Sequence, residues 1–411
     1  MANADDDSTR GDGTDTEPPD ARSGHADRGS GVIARARFDR RTVLRALGGS
    51  GVAVGVAVGL GARRGLSPPR GSVEVVTARV HGDDGSGRTE LTKTVPAAWH
   101  AAVETAFDLH ESLARTRFPW YLGSAVEPDP LEEGTVRVSL GFDGSERGST
   151  PPDVSLPGDL VGFDGGRIPA GVSVVPEGWP GHRETRLLAA GEEADTNTER
   201  KQVPGGTRCE SPVGGGTLAP AVYHPETDGP AFATALHIYD GVDDPLGAPL
   251  SRPLGTGTDT HIGRITARFP TEDVAIATPV GGVRPRRSVR NASTDRIVGQ
   301  YTRWGLAILA AHEAELEAVG ASSDRSSGRV QGVDARTRLA GTRWRRGQLK
   351  WGDSGAMTDG DSGSVAYDPD PDGVDGGLVA AFNLARTWWP GQNFVWGTAA
   401  YELTRRHGYH F

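Results

Sequence analysis

Gly360-Asp361-Ser362-Gly363-Ser364, running straight into Val365-Ala366-Tyr367, is the stretch on which the reading of this chain turns. A serine between glycines and after an aspartate suits a tight turn, because glycine reaches backbone angles that other residues avoid and lets several N–H groups point at one spot. The hydroxyl then stands free, as a nucleophile requires. The chain carries its own control in Gly352-Asp353-Ser354-Gly355, the same four letters followed by Ala356-Met357-Thr358-Asp359, which is more loop. The second copy instead leads into Ser364-Val365-Ala366-Tyr367, a polar turn and Leu378-Val379-Ala380-Ala381-Phe382, two strands of a hairpin. Ser362, not Ser354, is therefore the candidate nucleophile.

A serine hydroxyl needs a base, and the base needs a carboxylate to orient it. His237 ends the apolar run Ala233-Thr234-Ala235-Leu236 and precedes the polar turn Tyr239-Asp240-Gly241. Asp273 opens Val274-Ala275-Ile276-Ala277, an acid at the mouth of a buried strand. His224 and His261 are alternative bases, and Asp240, Asp243, Asp244 and Asp259 alternative carboxylates.

The order Thr-Ala-x-His, Asp-Val-Ala-Ile and Gly-Asp-Ser-Gly-Ser resembles the chymotrypsin-like (trypsin-fold) serine peptidases, particularly their bacterial and archaeal branch. The resemblance spans Gly214 to the C-terminus. Gly216-Thr217-Leu218 and Ala221-Val222-Tyr223 resemble the first strand pair of the N-terminal barrel, Val319 to Val333 the opening hairpin of the second, and Gly397 to Tyr401 the closing strand and entry to the final helix.

What the resemblance implies is a mainly β chain with a chymotrypsin-like double β-barrel over residues 214–411, acting as a serine endopeptidase. His237, Asp273 and Ser362 would be its triad, the N–H groups of Gly360 and Ser362 its oxyanion hole, and Ala356, Phe382 and Asn383 its substrate pocket. The substrate would be a protein or peptide, with no cofactor and no metal. Uncharged Ala356 argues against a demand for arginine or lysine before the cut. Two positions depart from the family pattern: Ile238 follows the histidine where cysteine is usual, and Ser364 stands where glycine is commoner. An inactive relative that keeps the barrels as a binding or structural module is the alternative reading. An α/β-hydrolase esterase is disfavoured, because its histidine follows its serine and its Gly-x-Ser-x-Gly opens a helix.

Composition agrees with many short strands: 59 glycines and 28 prolines in 411 residues, with only 6% aromatics. The net charge of −10 and the near-replacement of lysine by arginine, with lysine only at 93, 201 and 350, suit solubility in concentrated salt and a halophilic source. General nucleic-acid binding needs a basic face and is excluded on the same ground. The arginine clusters 284–287 and 343–346 read as solvated faces. Cys209 is the single cysteine, so no intrachain disulfide forms, and it reads as a small packing residue.

Residues 1–37 are polar and read as a disordered acidic tail. Arg40-Arg41 then precedes a run of glycine, alanine, valine, leucine and serine from Ala46 to Ala62. Residues 38–66 thus resemble a twin-arginine signal, which implies the twin-arginine export machinery as a partner and an extracellular or cell-surface location. The membrane would be met only through this segment, if it is not cleaved.

Residues 70–180 read as a small α/β (α+β) domain. Strands are expected at Val73–Val76, Thr135–Val138 and Val172–Val175, and a helix from Thr94-Pro96 whose Trp99, Val103, Ala106, Phe107 and Leu113 form one apolar stripe. His100 and His110 on it are spaced for packing rather than for a metal. Residues 181–213 read as a linker, Tyr301–Val319 as a helix between the barrels, and Asp368-Pro369-Asp370-Pro371-Asp372-Gly373 as a hairpin tip rather than a calcium loop.

Overall fold

β-branched runs separated by glycine and proline turns become strands throughout the chain. A computed structural model describes residues 69–81, 87–115, 121–143, 171–179, 185–187, 201–253, 259–338, 343–389 and 392–411, all within one compact unit. The acidic tail and the twin-arginine segment lie outside these residues, as does the stretch 188–200 of the expected linker. In order come β1 (Ser72–His81), β2 (Arg88–Pro96), α1 (Ala97–Arg115), β3 (Tyr121–Pro128), β4 (Val136–Asp143), β5 (Val172–Trp179) and β6 (Thr185–Leu187). The first barrel uses β8 (Arg208–Glu210), β9 (Gly215–Thr217), β10 (Val222–Tyr223), β11 (Pro230–Ala235), β12 (Pro249–Pro253), β13 (Asp259–Phe269) and β14 (Val274–Pro279), while β7 (Gln202–Gly205) and β15 (Arg284–Val289), before and after it in the chain, pair in parallel with each other. The remainder is β16 (Ile297–Tyr301), α2 (Arg303–Ala311), β17 (Glu315–Val319), β18 (Arg325–Thr337), β19 (Arg345–Trp351), β20 (Val365–Asp368), β21 (Gly377–Trp389), β22 (Gln392–Ala399) and α3 (Ala400–His407).

Two closed β structures follow from the pairing. In the first, the order β10-β11-β14-β13-β12-β8-β9 is closed by the chain just after β9, where Ala219 N donates to Ala233 O of β11 at 2.9 Å. In the second, β21, β20, β17, β18, β19 and β22 pair in turn, and β22 returns to β21. Closure pairs each ring strand with neighbours on both sides over part of its length. The resemblance implied a strand pair at Gly216–Leu218 and Ala221–Tyr223; instead β9 pairs with β8 and β10 with β11.

The segment 70–180 forms the expected elements but is not a separate domain. β1 pairs with β16, and β3 with β18, so its strands extend the sheet of the second barrel on two sides. The expected α1 stripe is fully or nearly fully buried, but in a cluster that also holds Leu306 and Ile308 of α2 and Leu316, Val330 and Trp351 of the barrel. The physical reason is in the edges: a small sheet with one helix leaves unpaired N–H and C=O rows, and here the barrel's strands satisfy them. The expected linker is likewise structured at both ends, with β6 against β21, and with β8 inside the first barrel.

The helix expected over Tyr301–Val319 ends at Ala311. Thr302 caps its start, accepting from Gly305 N at 3.1 Å. Glu313 takes a left-handed φ of 49°, and Glu315–Val319 then pairs as a strand with both β18 and β20. No helix among the described residues is long and apolar enough to cross a membrane.

Candidate active site

β11 delivers His237 on a short 3-10 turn, Leu236–Tyr239, at the lip of the first barrel. Leu236 N donates to the backbone carbonyl of Asp273 at 3.0 Å, and His237 N to its Oδ1 at 2.9 Å. Asp273 sits at the mouth of β14 with a φ of 57°, a conformation its short polar side chain tolerates. Its Oδ2 lies 2.7 Å from His237 Nδ1. A carboxylate can only accept, so Nδ1 carries the proton and Nε2 faces outward with its lone pair. Nε2 meets Ser362 Oγ at 2.8 Å. The three residues singled out in sequence thus come together across the two barrels, all buried, with Ser362 0% exposed.

The alternatives lie elsewhere. His224 Nδ1 accepts from Glu226 N, and His261 Nε2 donates to Gly263 O. Ser354 lies in a turn capped by the Asp353 carboxylate, which accepts from Gly355 N and Ala356 N.

Asp361 holds the nucleophile turn from within. It is 0% exposed; Oδ1 accepts from Ser322 N at 2.9 Å and Ser323 N at 3.2 Å, and Oδ2 from Thr358 N at 2.7 Å. Gly363 takes a φ of 92°, and a Cβ there would stand 2.4 Å from Thr217 O. Only glycine fits. Neither Gly360 N nor Ser362 N donates a hydrogen bond among the described residues, which leaves both N–H groups for a ligand.

Several contributors were not legible in sequence. Thr217 of β9 ties the first barrel to the turn: its N donates to Ser362 O at 2.8 Å and its Oγ1 to Gly360 O at 2.7 Å. In the sequence Arg345 belongs to a basic cluster expected on a solvated face. It is instead mostly buried and donates to Asp273 Oδ2, forming an ion pair. Burial alone would raise the Asp273 carboxyl, but the Arg345 guanidinium and the His237 ring hold it well below the usual carboxylate range. A single arginine between a tryptophan and another arginine carries no local signal for this role.

The pocket residues divide. Ala356 is buried in the turn before Asp361. Phe382 does not line a pocket: it is fully buried among Val365, Tyr367 and Phe411, its ring 5.2 Å from that of Phe411. Side chains alternate along a strand, so Phe382 points into the core. Asn383 is buried, with Oδ1 accepting from Trp351 Nε1 at 3.1 Å and Nδ2 donating to Ser364 Oγ at 3.0 Å. That bond gives the buried Ser364 hydroxyl a partner. Ile238 is buried in the first-barrel cluster that also holds Cys209. Cys209 is buried and free, and burial pushes its thiol up to about 12. His100 stacks on Trp304 at 4.3 Å, and His110 Nδ1 bonds Ser124 Oγ at 2.7 Å, so both are packing residues.

One further element reaches this region. Along one edge of β21, Val365 pairs with Phe382, then Gly363 N donates to Asn383 O at 2.9 Å. Farther along the same edge, β6 pairs antiparallel, Leu187 opposite Ala385 and Thr185 opposite Thr387. Ala385 also pairs with Trp396 on the other side. The chain's own strand therefore lies in line with the nucleophile turn, its C-terminal end nearer Ser362.

Two barrels with His237 and Asp273 on the first and Ser362 on the second make a chymotrypsin-like double β-barrel. No family model matches the chain. No curated protein sequence matches it either. Solved structures do resemble it, each over 51% of this chain. One is a serine protease specific for glutamic acid that uses a histidine triad in substrate binding, at 17% identity, 99% of its own chain and a TM-score of 0.38. Cellulomonas bogoriensis chymotrypsin follows at 15%, 98% and 0.36, and Thermobifida fusca protease A at 13%, 97% and 0.36.

Proposed function

We propose that this chain is a serine endopeptidase that hydrolyses peptide bonds through an acyl-enzyme. The observation that carries the reading is His237, bonded through Nδ1 to Asp273 and through Nε2 to Ser362 Oγ. Ser362 Oγ attacks the peptide carbonyl while His237 Nε2 takes its proton, and Asp273 stabilises the imidazolium that forms. The N–H groups of Gly360 and Ser362 hold the oxyanion, each donor contributing on the order of 3 kcal/mol to lowering the barrier. His237 then gives its proton to the leaving amine, and water, activated by the same ring, releases the acid and restores the serine.

The substrate in this reading is an extended peptide that adds to the β21 edge as an antiparallel strand, main chain to main chain. β6 is the intramolecular precedent for such a strand, and a substrate has to displace it. The export reading joins the same proposal: the twin-arginine segment at residues 38–66 delivers a salt-adapted enzyme to the outside of the cell. Replacing Arg40 and Arg41 by lysine would then retain the protein in the cytoplasm, and unchanged export would remove that part.

The test is labelling of the purified protein in high salt with a fluorophosphonate probe. Loss of labelling in Ser362→Ala but not in Ser354→Ala is expected. A second reading, a trypsin-fold binding module, is favoured by the complete burial of Ser362. A folded wild type that does not label, with β6 present or removed, would decide for that module.

A further inference from the structure

Three donors from distant parts of the chain converge away from the triad residues. His81 closes β1, Asp228 lies in the turn between β10 and β11, and His410 is the residue before the last. One ligand atom of each lies within 4.8 Å of the other two.

The hydrogen bonds around these groups are compatible with a metal site. His410 Nδ1 is 3.2 Å from the Gly408 carbonyl, which can only accept, so in the neutral ring Nδ1 carries the proton. Nε2 then presents its lone pair to Asp228 Oδ1, 3.3 Å away. Two electron-rich atoms facing each other are bridged by a positive centre, either a proton on Nε2 or a metal ion. An imidazole fixed through its far N–H on a carbonyl, with the near nitrogen turned to a carboxylate, is also the way metal-bound histidines are held. His81 supplies the independent observation: its Nε2 is buried and has no hydrogen-bond partner among the described residues. An unsatisfied buried ring nitrogen is costly, and a metal ion would satisfy it. The two imidazoles stack at 4.9 Å with 28° between their planes, so the rings themselves are in contact.

The framework is also fixed. Tyr223 N donates to His410 O at 2.7 Å and His410 N to Tyr223 O at 3.3 Å, so the C-terminal tail is pinned on the first barrel. Asp228 N donates to His224 O at 3.0 Å, with Asp228 at a φ of 50°. Each donor therefore reaches the cluster from an ordered backbone.

We propose that His81, Asp228 and His410 bind a divalent transition metal of borderline softness, with Zn2+ the best fit, through two imidazoles and one carboxylate, solvent completing the shell. The ion would clasp β1, the β10–β11 hairpin and the C-terminal tail, segments that the chain order keeps far apart. Arg287, whose guanidinium lies 5.4 Å from the centre of the Tyr223 ring that packs on His81, puts a like charge beside the ion and weakens its binding.

Co2+ is the probe, titrated into the full chain after chelator treatment and dialysis, with visible absorbance as the readout and Zn2+ as competitor. One equivalent is expected to give the intense ligand-field bands of a four-coordinate site, displaced by Zn2+. His81→Ala and His410→Ala should each raise Kd at least tenfold, Asp228→Asn less, and Arg287→Gln should lower it. Because His81 Nε2 makes no hydrogen bond, His81→Ala tests the site even if His410→Ala unfolds. Binding by wild type no tighter than by His81→Ala, or an equal loss in the control His224→Ala/His261→Ala, would overturn the proposal.

Discussion

Arg345 of the second barrel donates to Oδ2 of Asp273 in the first, the same oxygen that accepts from His237 Nδ1. The carboxylate is thus shared between an orienting bond and an ion pair, and its charge is partly spent on the guanidinium.

In Arg345→Gln, Asp273 loses the guanidinium on Oδ2 and keeps only the His237 ring, so its carboxyl is expected to lie less far below its ordinary value than in wild type. An NMR titration of the Asp273 carboxyl carbon checks this. An unchanged midpoint would mean that Arg345 does not hold the carboxylate charged.

Stability should follow the same pair in acid. The Asp273 carboxyl is held below its ordinary value in the folded chain, so below about pH 4 the unfolded chain takes up a proton that the folded chain does not. The contribution is complete above that pH and is lost as pH falls toward the depressed folded value. Denaturant titrations between about pH 5 and pH 2 should show a shallower loss in Asp273→Asn than in wild type.

Gly363→Ala is expected to abolish labelling. Its Cβ would stand 2.4 Å from Thr217 O and 2.6 Å from Ala235 N, so the turn must shift and take Oγ with it. A displacement of about 1 Å at a reacting atom lowers rates about hundredfold or more. Gly373→Ala, at a similar φ of 81° with nothing within 4 Å of the new Cβ, should label like wild type.

Lys350 Nζ on β19 reaches Glu127 Oε1 on β3 at 2.9 Å, both side chains under a tenth exposed. Lys350→Met leaves a buried carboxylate without this partner and should destabilise the whole chain by about 3–5 kcal/mol. Glu127→Leu/Lys350→Met should recover most of that loss. A single cooperative transition in all three proteins is expected if residues 70–180 fold as part of the second barrel; a separate transition for that segment would contradict it.

Deleting Thr185–Leu187 frees the β21 edge beside Ser362. Peptide turnover should rise at least about tenfold, since substrate no longer competes with a tethered strand. Labelling by a small fluorophosphonate, which needs little of that edge, should change far less. Unchanged peptide turnover in a folded deletion variant would mean that β6 does not compete with substrate.

Much of the site was legible because its chemistry is local. A serine in a glycine turn, a histidine at a strand end and an aspartate at a strand mouth each declare themselves within five residues, and the structure brings His237, Asp273 and Ser362 within hydrogen-bond reach. Phe382 shows the limit of that reading. The family resemblance places it at the pocket, on a strand that follows the serine, but whether a strand residue points inward depends on a register that a bulge between Asn383 and Ala385 shifts locally.

The sequence by itself determined the strand-rich class, the apolar stripe of α1 and the turn that presents Ser362, because periodicity and glycine chemistry act over a few residues. Tertiary structure alone decided that residues 70–180 extend the second barrel, that Arg345 serves Asp273, and that β6 lies on the edge beside the serine. Those outcomes depend on which open edges and buried charges find one another across 72 residues of chain or more. Pairing of that kind is set by the whole fold's need to satisfy its backbone and its ions, and it leaves no mark on the neighbouring letters.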